Sequence, residues 1–254
     1  MNDTTELLFG YHAVKEAMVA GRRRFMAVQV VDDRKNRRSA EVAQLAQARR
    51  IPVKTTSAEQ LRTLCQSNQH QGVAAFVSPY PVVDLGQMIA AAKRSPGFIL
   101  ALDSVVDPHN LGALIRTAHC AGVVGVIIPK DRSVGPTPTV SRVSAGAVEH
   151  TLLARVTNLA RTVVELKKEG FWAAGLDHNG SQSVFDLDGS VPLVLVVGSE
   201  EKGLRPQIRK SCDLIVSIPQ QGRIDSLNAS TAGAIAMYEI VRQRMHERSI
   251  KTIE

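Results

Sequence analysis

The chain has 254 residues, 44% of them hydrophobic, with a mean hydropathy of -0.03, which is the composition of an ordinary globular protein with length for one large domain or two modest ones. No apolar run approaches the ~20 residues of a membrane helix, and aromatic residues, at 4%, are too few for a protein that grips single-stranded bases mainly by stacking. The net charge is +7 and the isoelectric point is near 9.6, which favours a nucleic-acid partner.

The charge is unevenly spread. Residues 1–80 hold 12 Lys and Arg against 7 Asp and Glu, a net +5, and the remaining residues hold 19 against 17, a net +2. The basic clusters are Arg22-Arg23-Arg24, Arg34-Lys35, Arg37-Arg38 and Arg49-Arg50. A concentrated basic surface neutralises phosphates and releases counterions, so Arg22, Arg23 and Arg24 are candidate RNA contacts. The alternative is a solvated face that keeps the protein soluble. Cys65, Cys120 and Cys212 are scattered, which suits a reducing cytosol, and neither they nor the seven histidines show metal spacing. The first six residues carry no apolar stretch of signal-peptide length. The expectation is a cytoplasmic protein with no metal and no membrane attachment.

In chain order, residues 7–78 read as a small α/β unit. A strand-like Leu7-Leu8-Phe9 precedes a helix from Gly10 to Val19, and Met26 to Val31 is a strand. Ser39 is placed to cap a helix running through Arg50, with Val42, Leu45, Ala46 and Ala48 on one face. Ile51 to Lys54 is a strand, Ser57 caps a helix from Ala58 to Cys65, and Val73 to Val77 is a strand ended by Ser78-Pro79. Pro79, Pro81 and Pro96 punctuate a connection, with a short helix from Asp84 to Lys93 inside it. The expected division is therefore a first domain at 1–80, a linker at 81–96 and a second domain at 97–254. In the second, strands at 97–103, 124–128, 152–156, 171–176, 193–197 and 213–218 alternate with helices at 110–121, 138–147, 158–169, 206–211 and 228–245. That alternation predicts a mostly parallel sheet covered on both faces.

Three strand ends carry the chemistry. Phe98 to Asp103 leads to Asp107-Pro108-His109-Asn110 and a helix bearing Arg116. Leu193 to Val197 leads to Gly198-Ser199-Glu200-Glu201-Lys202-Gly203, and Leu214 to Pro219 leads to Gln220-Gln221-Gly222 and Ser226-Leu227-Asn228. Buried strands that run into glycine-bearing loops are where open α/β sheets bind ligands, so the three loops point to one composite site. The dinucleotide fingerprint Gly-x-Gly-x-x-Gly is missing, as are the P-loop and the Gly-x-Ser-x-Gly elbow. The 198–203 loop is a poor phosphate cradle, because Glu200 and Glu201 repel an anion.

Together the three loops resemble the SpoU/TrmH branch of the SPOUT methyltransferases, which methylate ribose 2′-hydroxyls of RNA. The residues that carry the resemblance are Asp103, Asp107-Pro108, Asn110, Gly112-Ala113, Arg116, Ala118 and Gly122, then Gly198, Glu200 and Gly203, then Ile218-Pro219, Ser226-Leu227-Asn228 and Ser230. The N-terminal Phe9-Gly10-x-His12-Ala13-Val14 and His70-Gln71-Gly72-Val73 are similar to the family's small L30e-like α/β substrate-binding domain. Pro129-Lys130-Asp131-Arg132-Ser133 and the stretch from Arg155 to Arg161 resemble the RlmB subgroup, which modifies a guanosine in 23S ribosomal RNA. Val134-Gly135-Pro136 departs from the pattern, as does Ala229, where relatives often carry Val. The resemblance implies an α/β SPOUT catalytic domain with a C-terminal trefoil knot, which sequence pattern alone would render as a plain doubly wound sheet. It also implies S-adenosylmethionine as methyl donor, no metal, and a homodimer whose two subunits complete each active site.

The resemblance makes Asn110, Arg116, Glu200, Ser226 and Asn228 the catalytic set, and Gly198, Ile218 and Leu227 the donor contacts. Each has a plainer alternative. Arg116, among apolar neighbours, would also suit a structural ion pair; otherwise it binds the target phosphate and stabilises alkoxide charge, since a guanidinium resists deprotonation. Asn110, Ser226 and Asn228 are also favoured helix caps. Glu200 is either exposed loop charge or a group that holds the arginine or accepts a proton. The leading function is methyl transfer to the 2′-hydroxyl of a guanosine in 23S rRNA. The alternatives are a tRNA 2′-O-methyltransferase and a non-catalytic RNA-binding ribosome-assembly factor on the same fold.

Overall fold

Short apolar runs become strands, and a Ser, Asp or Asn ahead of a periodic segment starts most helices. The structure, a computed structural model, describes residues 5–32, 36–93, 97–199, 203–223 and 226–251. The first elements in chain order are β1 (Glu6–Phe9), α1 (Tyr11–Ala20), β2 (Phe25–Val31), α2 (Arg37–Ala48), β3 (Val53–Thr56), α3 (Ala58–Cys65) and β4 (Val73–Val77). Then come α4 (Leu85–Ala92), β5 (Phe98–Leu102), α5 (Pro108–Cys120), β6 (Gly125–Pro129), α6 (Pro138–Val143), α7 (Ala147–His150) and β7 (Leu152–Val156). The chain ends with α8 (Leu159–Lys168), β8 (Trp172–Leu176), β9 (Gln182–Ser183), β10 (Leu193–Val197), α9 (Pro206–Ser211), β11 (Leu214–Ser217) and α10 (Ala229–Lys251). Ser57 and Asp84 start α3 and α4 with full capping boxes, reciprocated by Gln60 and Gln87. Ser39 is not a cap. Asn36 caps α2 by accepting from the Ser39 N–H, and Ser39 turns inward to donate to the Gly72 carbonyl.

One compact unit comprises Met1–Pro81 and Pro136–His150. Its sheet has the order β1-β4-β2-β3, antiparallel except for the β2–β3 pair. Leu8, Val14, Met18, Val28, Val42 and Val73 form its main core; α3 covers the opposite face through Leu61 and Cys65. The helix expected at 138–147 is broken where Ala145 and Gly146 take left-handed backbone, giving α6 and α7. These pack on α1 and β1, not in the later alternation where the sequence pattern puts them.

A buried ion pair ties that returning segment to the N-terminal chain. Arg23 Nε donates to Glu149 Oε2 at 2.8 Å and its Nη1 to Glu6 Oε2 at 2.6 Å. The Arg23 and Glu149 side chains are 0% and 1% exposed. Ser141 Oγ donates to the other Glu149 oxygen, and burial pushes the Glu149 carboxyl above its usual range while Arg23 opposes the shift. Arg22 is half-buried and donates to Tyr80 Oη and to the Glu149 and Pro81 carbonyls. The basic run is therefore not a uniform RNA-facing surface. Arg23 is withdrawn from phosphate contact, Arg22 is engaged internally, and Arg24 is exposed. A run of like charges reads as surface until an acid 126 residues away claims one of them.

The second unit comprises Val82–Gly135 and Thr151–Glu254. Its sheet has the order β7-β6-β5-β10-β8-β11-β9, and every strand pair in it is parallel. β10 lies between β5 and β8, so a later strand occupies the slot between two earlier ones. The common doubly wound orders, 3-2-1-4-5-6 and 2-1-3-4-5, do not do this. Helices α4, α8 and α9 bury Met88, Ile89, Val163, Leu166 and Ile208 against one face. The stretch expected as a linker is thus part of this core, and Val83 also bridges to Ala154. On the other side α10 packs on α5, and Gly233 lets them approach closely: a Cβ there would stand 2.5 Å from Leu114 Cδ2, which would have to shift. No helix among the described residues is long and apolar enough to cross a membrane.

The Arg23–Glu149 pair generates a stability test. Arg23→Ala leaves the Glu149 carboxylate buried without its cation, which costs about 3–5 kcal/mol. Urea unfolding should show that loss. A loss below about 1 kcal/mol would mean the pair does not hold the returning segment.

Candidate active site

Strand register lines up three residues at the carboxyl edge of the large sheet. Val197 is level with Leu102 on one side and Leu176 on the other, so Asp103, Gly198 and Asp177 follow three adjacent strands side by side. Asp103 is fully buried and Asp177 is 8% exposed. Both carboxylates grip the chain that crosses this edge. Asp177 Oδ2 accepts from the Leu204 N–H at 3.3 Å, and Asp103 Oδ2 accepts from the Arg205 N–H at 2.9 Å. Arg205 Nε donates to Asp103 Oδ1 at 2.7 Å, and Arg209 Nη1 pairs with Asp177 Oδ1 at 3.0 Å. Ser199 and Gly203 exchange both backbone hydrogen bonds. Gly198 lies directly beneath the crossing, where a Cβ would collide with the Gly203 carbonyl. Only glycine fits there.

A cavity of about 510 Å³ opens beside this crossing. Gly198, Ile218 and Leu227, expected as donor contacts, all line it, together with Ser226, Asp177 and His178. Its volume suits a small organic ligand (about 300–1,000 Å³). The set fits the methyl donor: Gly198 lets backbone reach the ligand, Ile218 and Leu227 offer apolar walls, and Asp177 offers a carboxylate for the donor's polar groups.

The first and third loops meet through Asn110 and Asn228. Asp107, not Asn110, caps α5: its Oδ1 accepts from the His109 N–H at 3.0 Å, and Pro108 occupies the first turn. Asn110 thus lies inside the first turn, with its Oδ1 accepting from Asn228 Nδ2 at 3.0 Å. Asn228 does cap its helix, since its Oδ1 accepts from the Ser230 and Thr231 N–H groups. One amide therefore starts α10 with its oxygen and holds Asn110 with its nitrogen. The close approach of α5 and α10 at Gly233 and Leu114 sets up that meeting.

Arg116 stands apart. It is exposed on α5, makes no hydrogen bond or ion pair among the described residues, and is not among the described residues lining the 510 Å³ cavity. It is neither the structural ion pair nor the near-buried charge that its apolar neighbours suggest, because Leu111, Leu114, Ile115 and Ala118 form the buried stripe and position 116 falls outside it. Glu200 lies outside the described residues. Asp177, His178 and Arg205 were missed in the sequence. For Asp177 the available signal was a charged residue immediately after a buried strand, the pattern that singled out Asp103; Arg205, beyond the 198–203 loop, carries no such signal.

Comparison with known proteins agrees with this geometry. Residues 97–238 match the model of the SpoU rRNA Methylase family, and residues 7–83 match that of the RNA 2'-O ribose methyltransferase substrate binding domain. A Staphylococcus aureus protein assigned to the TrmH family as a tRNA/rRNA methyltransferase is 41% identical over 246 residues, 96% of this chain and 98% of that one. The SpoU methyltransferase AviRb of Streptomyces viridochromogenes, solved with AdoMet, superposes with a TM-score of 0.80 at 26% identity, covering 94% of this chain and 90% of that one. An AdoMet-bound rRNA methyltransferase of Sinorhizobium meliloti gives 0.78 at 25% identity, covering 94% and 87%. A TrmH/SpoU tRNA modifying enzyme of A. aeolicus gives 0.55 at 28% identity, covering 63% and 81%.

The fold and the family matches are those of an RNA ribose 2′-O-methyltransferase of the SPOUT type, with a small substrate-binding domain at the N-terminus and S-adenosylmethionine as methyl donor. The chain belongs to the SpoU rRNA methylase family, on the TrmH branch.

The crossing over Gly198 yields a direct test. Gly198→Ala drives a methyl group into the Gly203 backbone, so S-adenosylmethionine affinity by calorimetry should fall at least tenfold, with a lower melting temperature. Unchanged affinity would mean that the crossing does not shape the donor cavity.

Proposed function

We propose that this enzyme methylates the ribose 2′-hydroxyl of a guanosine in 23S rRNA, as the RlmB subgroup does. The observation that carries the proposal is coverage. The S. meliloti protein, named as an rRNA methyltransferase, covers 94% of this chain, and the A. aeolicus protein, named as tRNA modifying, covers 63%. The substrate-binding model over residues 7–83 supports the same choice. In this proposal the unit of residues 1–81 and 136–150 takes the L30e-like RNA-binding role expected of 1–80, and the unit of 82–135 and 151–254 takes the catalytic role expected of 97–254. The C-terminal trefoil knot belongs to it too, supported by the placement of β10 between β5 and β8 and by the 203–205 crossing over Gly198. The proposed location is the cytoplasm.

When bound, the donor supplies an electrophilic methyl group on a sulfonium sulfur. The protein's task is then alignment and proton relief. Gly198, Ile218 and Leu227 hold the donor in the 510 Å³ cavity. The Asn110–Asn228 pair and Ser226 orient the ribose hydroxyls, bringing O2′ in line with the carbon–sulfur bond. With the donor bound, the methyl carbon would pass to O2′, the sulfur would keep the electron pair of the carbon–sulfur bond, and the O2′ proton would pass to a base. Arg116 stabilises the developing alkoxide and the adjacent phosphate, and Glu200 holds the arginine or takes the proton. The exposure of Arg116 supports a homodimer in which each subunit's arginine serves a site shared with its partner. Tyr238 and Met245 on α10, 50% and 63% exposed, supply apolar surface for such an interface.

Radiolabelled methyl transfer to undermodified 23S rRNA, beside a tRNA control, tests the substrate. Label in the rRNA alone is the expected result, and label in the tRNA alone would move the enzyme to the tRNA-modifying branch. In the same assay Arg116→Ala should lower transfer at least a hundredfold while donor affinity stays within a few fold. Normal turnover by that variant would remove Arg116 from the mechanism.

A further inference from the structure

A second cleft, of about 380 Å³, shares Ser199, Gly203 and Ala229 with the donor cavity. Asn110 lines it, and so do two arginines, Arg132 and Arg205. We propose that this cleft seats the phosphodiester of the target ribonucleotide, with Arg132 and Arg205 as its anion contacts. The proposal deepens the function given above and rests on RNA being the substrate.

Arg205 is a held cation. Asp103 takes its Nε and Nη2 groups, both at 2.7 Å, and also its backbone N–H. Its Nη1 makes no hydrogen bond among the described residues, and its side chain remains 40% exposed. The fork is thus fixed on one edge and available on the other, an arrangement suited to a phosphate oxygen. Asp103, buried and already paired, positions the guanidinium without offering a free charge to repel the anion.

Arg132 is exposed and makes no hydrogen bond or ion pair among the described residues. Its backbone is nevertheless fixed in the left-handed region (φ 58°), as is that of Ser104 (φ 63°) on the same cleft. Non-glycine residues in that region carry strain, and such residues cluster at ligand sites. Two hydrogen bonds tie the Arg132 turn to the first loop. Ser133 Oγ and the Val134 N–H both donate to the Val105 carbonyl at 3.1 Å. The segment 129–136, which the catalytic motifs leave unexplained, gains a role: it presents Arg132. Among the described residues one acid also lines the cleft, Asp107, but its Oδ1 caps α5, whose first-turn amides favour an anion. Asn110 then faces the sugar while the arginines face its phosphate.

The test uses Arg132→Gln, Arg205→Gln and the double variant in the full-length protein. Filter binding of an unmodified 23S rRNA transcript, from 50 to 200 mM salt, reads phosphate contacts without requiring turnover. Each single variant should reduce the log–log salt slope by about 0.7, the double by about 1.4. For Arg132→Gln, S-adenosylmethionine affinity should stay within about twofold, and KM for RNA should rise more than kcat falls. Slopes equal to wild type in both single variants would overturn the proposal, as would a loss of donor affinity in Arg132→Gln as large as its loss of RNA affinity. Arg132 lies in an exposed turn, so its variant remains decisive if Arg205→Gln does not fold. Failure of the wild-type enzyme to methylate the transcript would count against the rRNA assignment, whereas the slopes report separately on the two arginines.

Discussion

Two buried carboxylates, Asp103 and Asp177, hold the backbone that crosses the carboxyl edge of the large sheet, and the site depends on that grip. A carboxylate out of water is costly unless its oxygens are filled. Here each accepts a backbone N–H from the crossing chain and pairs with an arginine. Hydrogen bonds to charged groups contribute about 1.5–3 kcal/mol each, enough to fix a segment that apolar packing alone would leave loose. Between the two acids Gly198 has no side chain, so the crossing chain lies against it. The 510 Å³ cavity, the Ser199–Gly203 pairing and the orientation of Arg205 all follow from this arrangement.

The same logic explains the Asn110–Asn228 contact. Asn228 cannot cap α10 and also reach Asn110 unless α5 and α10 pack closely. Gly233 permits that closeness against Leu114. A cap, normally a local device, thereby joins two loops 118 residues apart. The composite site is built from ordinary parts whose coincidence in space comes from the order of strands.

Much of this was legible in the sequence. The strands at 73–77, 152–156 and 193–197 and the helix at 206–211 stand where apolar runs and their flanking residues predict them. The third and second loops converge on one cavity, and all three expected donor contacts line it. The rest was hidden for identifiable reasons. Long-range charge pairing is invisible to a local reading, so Arg23 looked like surface. Helical periodicity does not reveal which sheet a helix covers, so α4 read as a linker and α6 as part of the later alternation. Period-two patterns do not reveal strand order, so the insertion of β10 was not derivable from pattern. The chain also passes between its two compact units three times, near residues 81, 135 and 150. A truncation at residue 80 would therefore remove Arg23 and leave Glu149 buried without its cation.

Amide hydrogen exchange at Leu204 and Arg205, resolved residue by residue, measures most directly whether Asp103 and Asp177 clamp the chain over Gly198. A clamp makes both amides exchange as slowly as those of β10, because both donate to buried carboxylates. Exchange of these two amides at the rate of an open loop would contradict it.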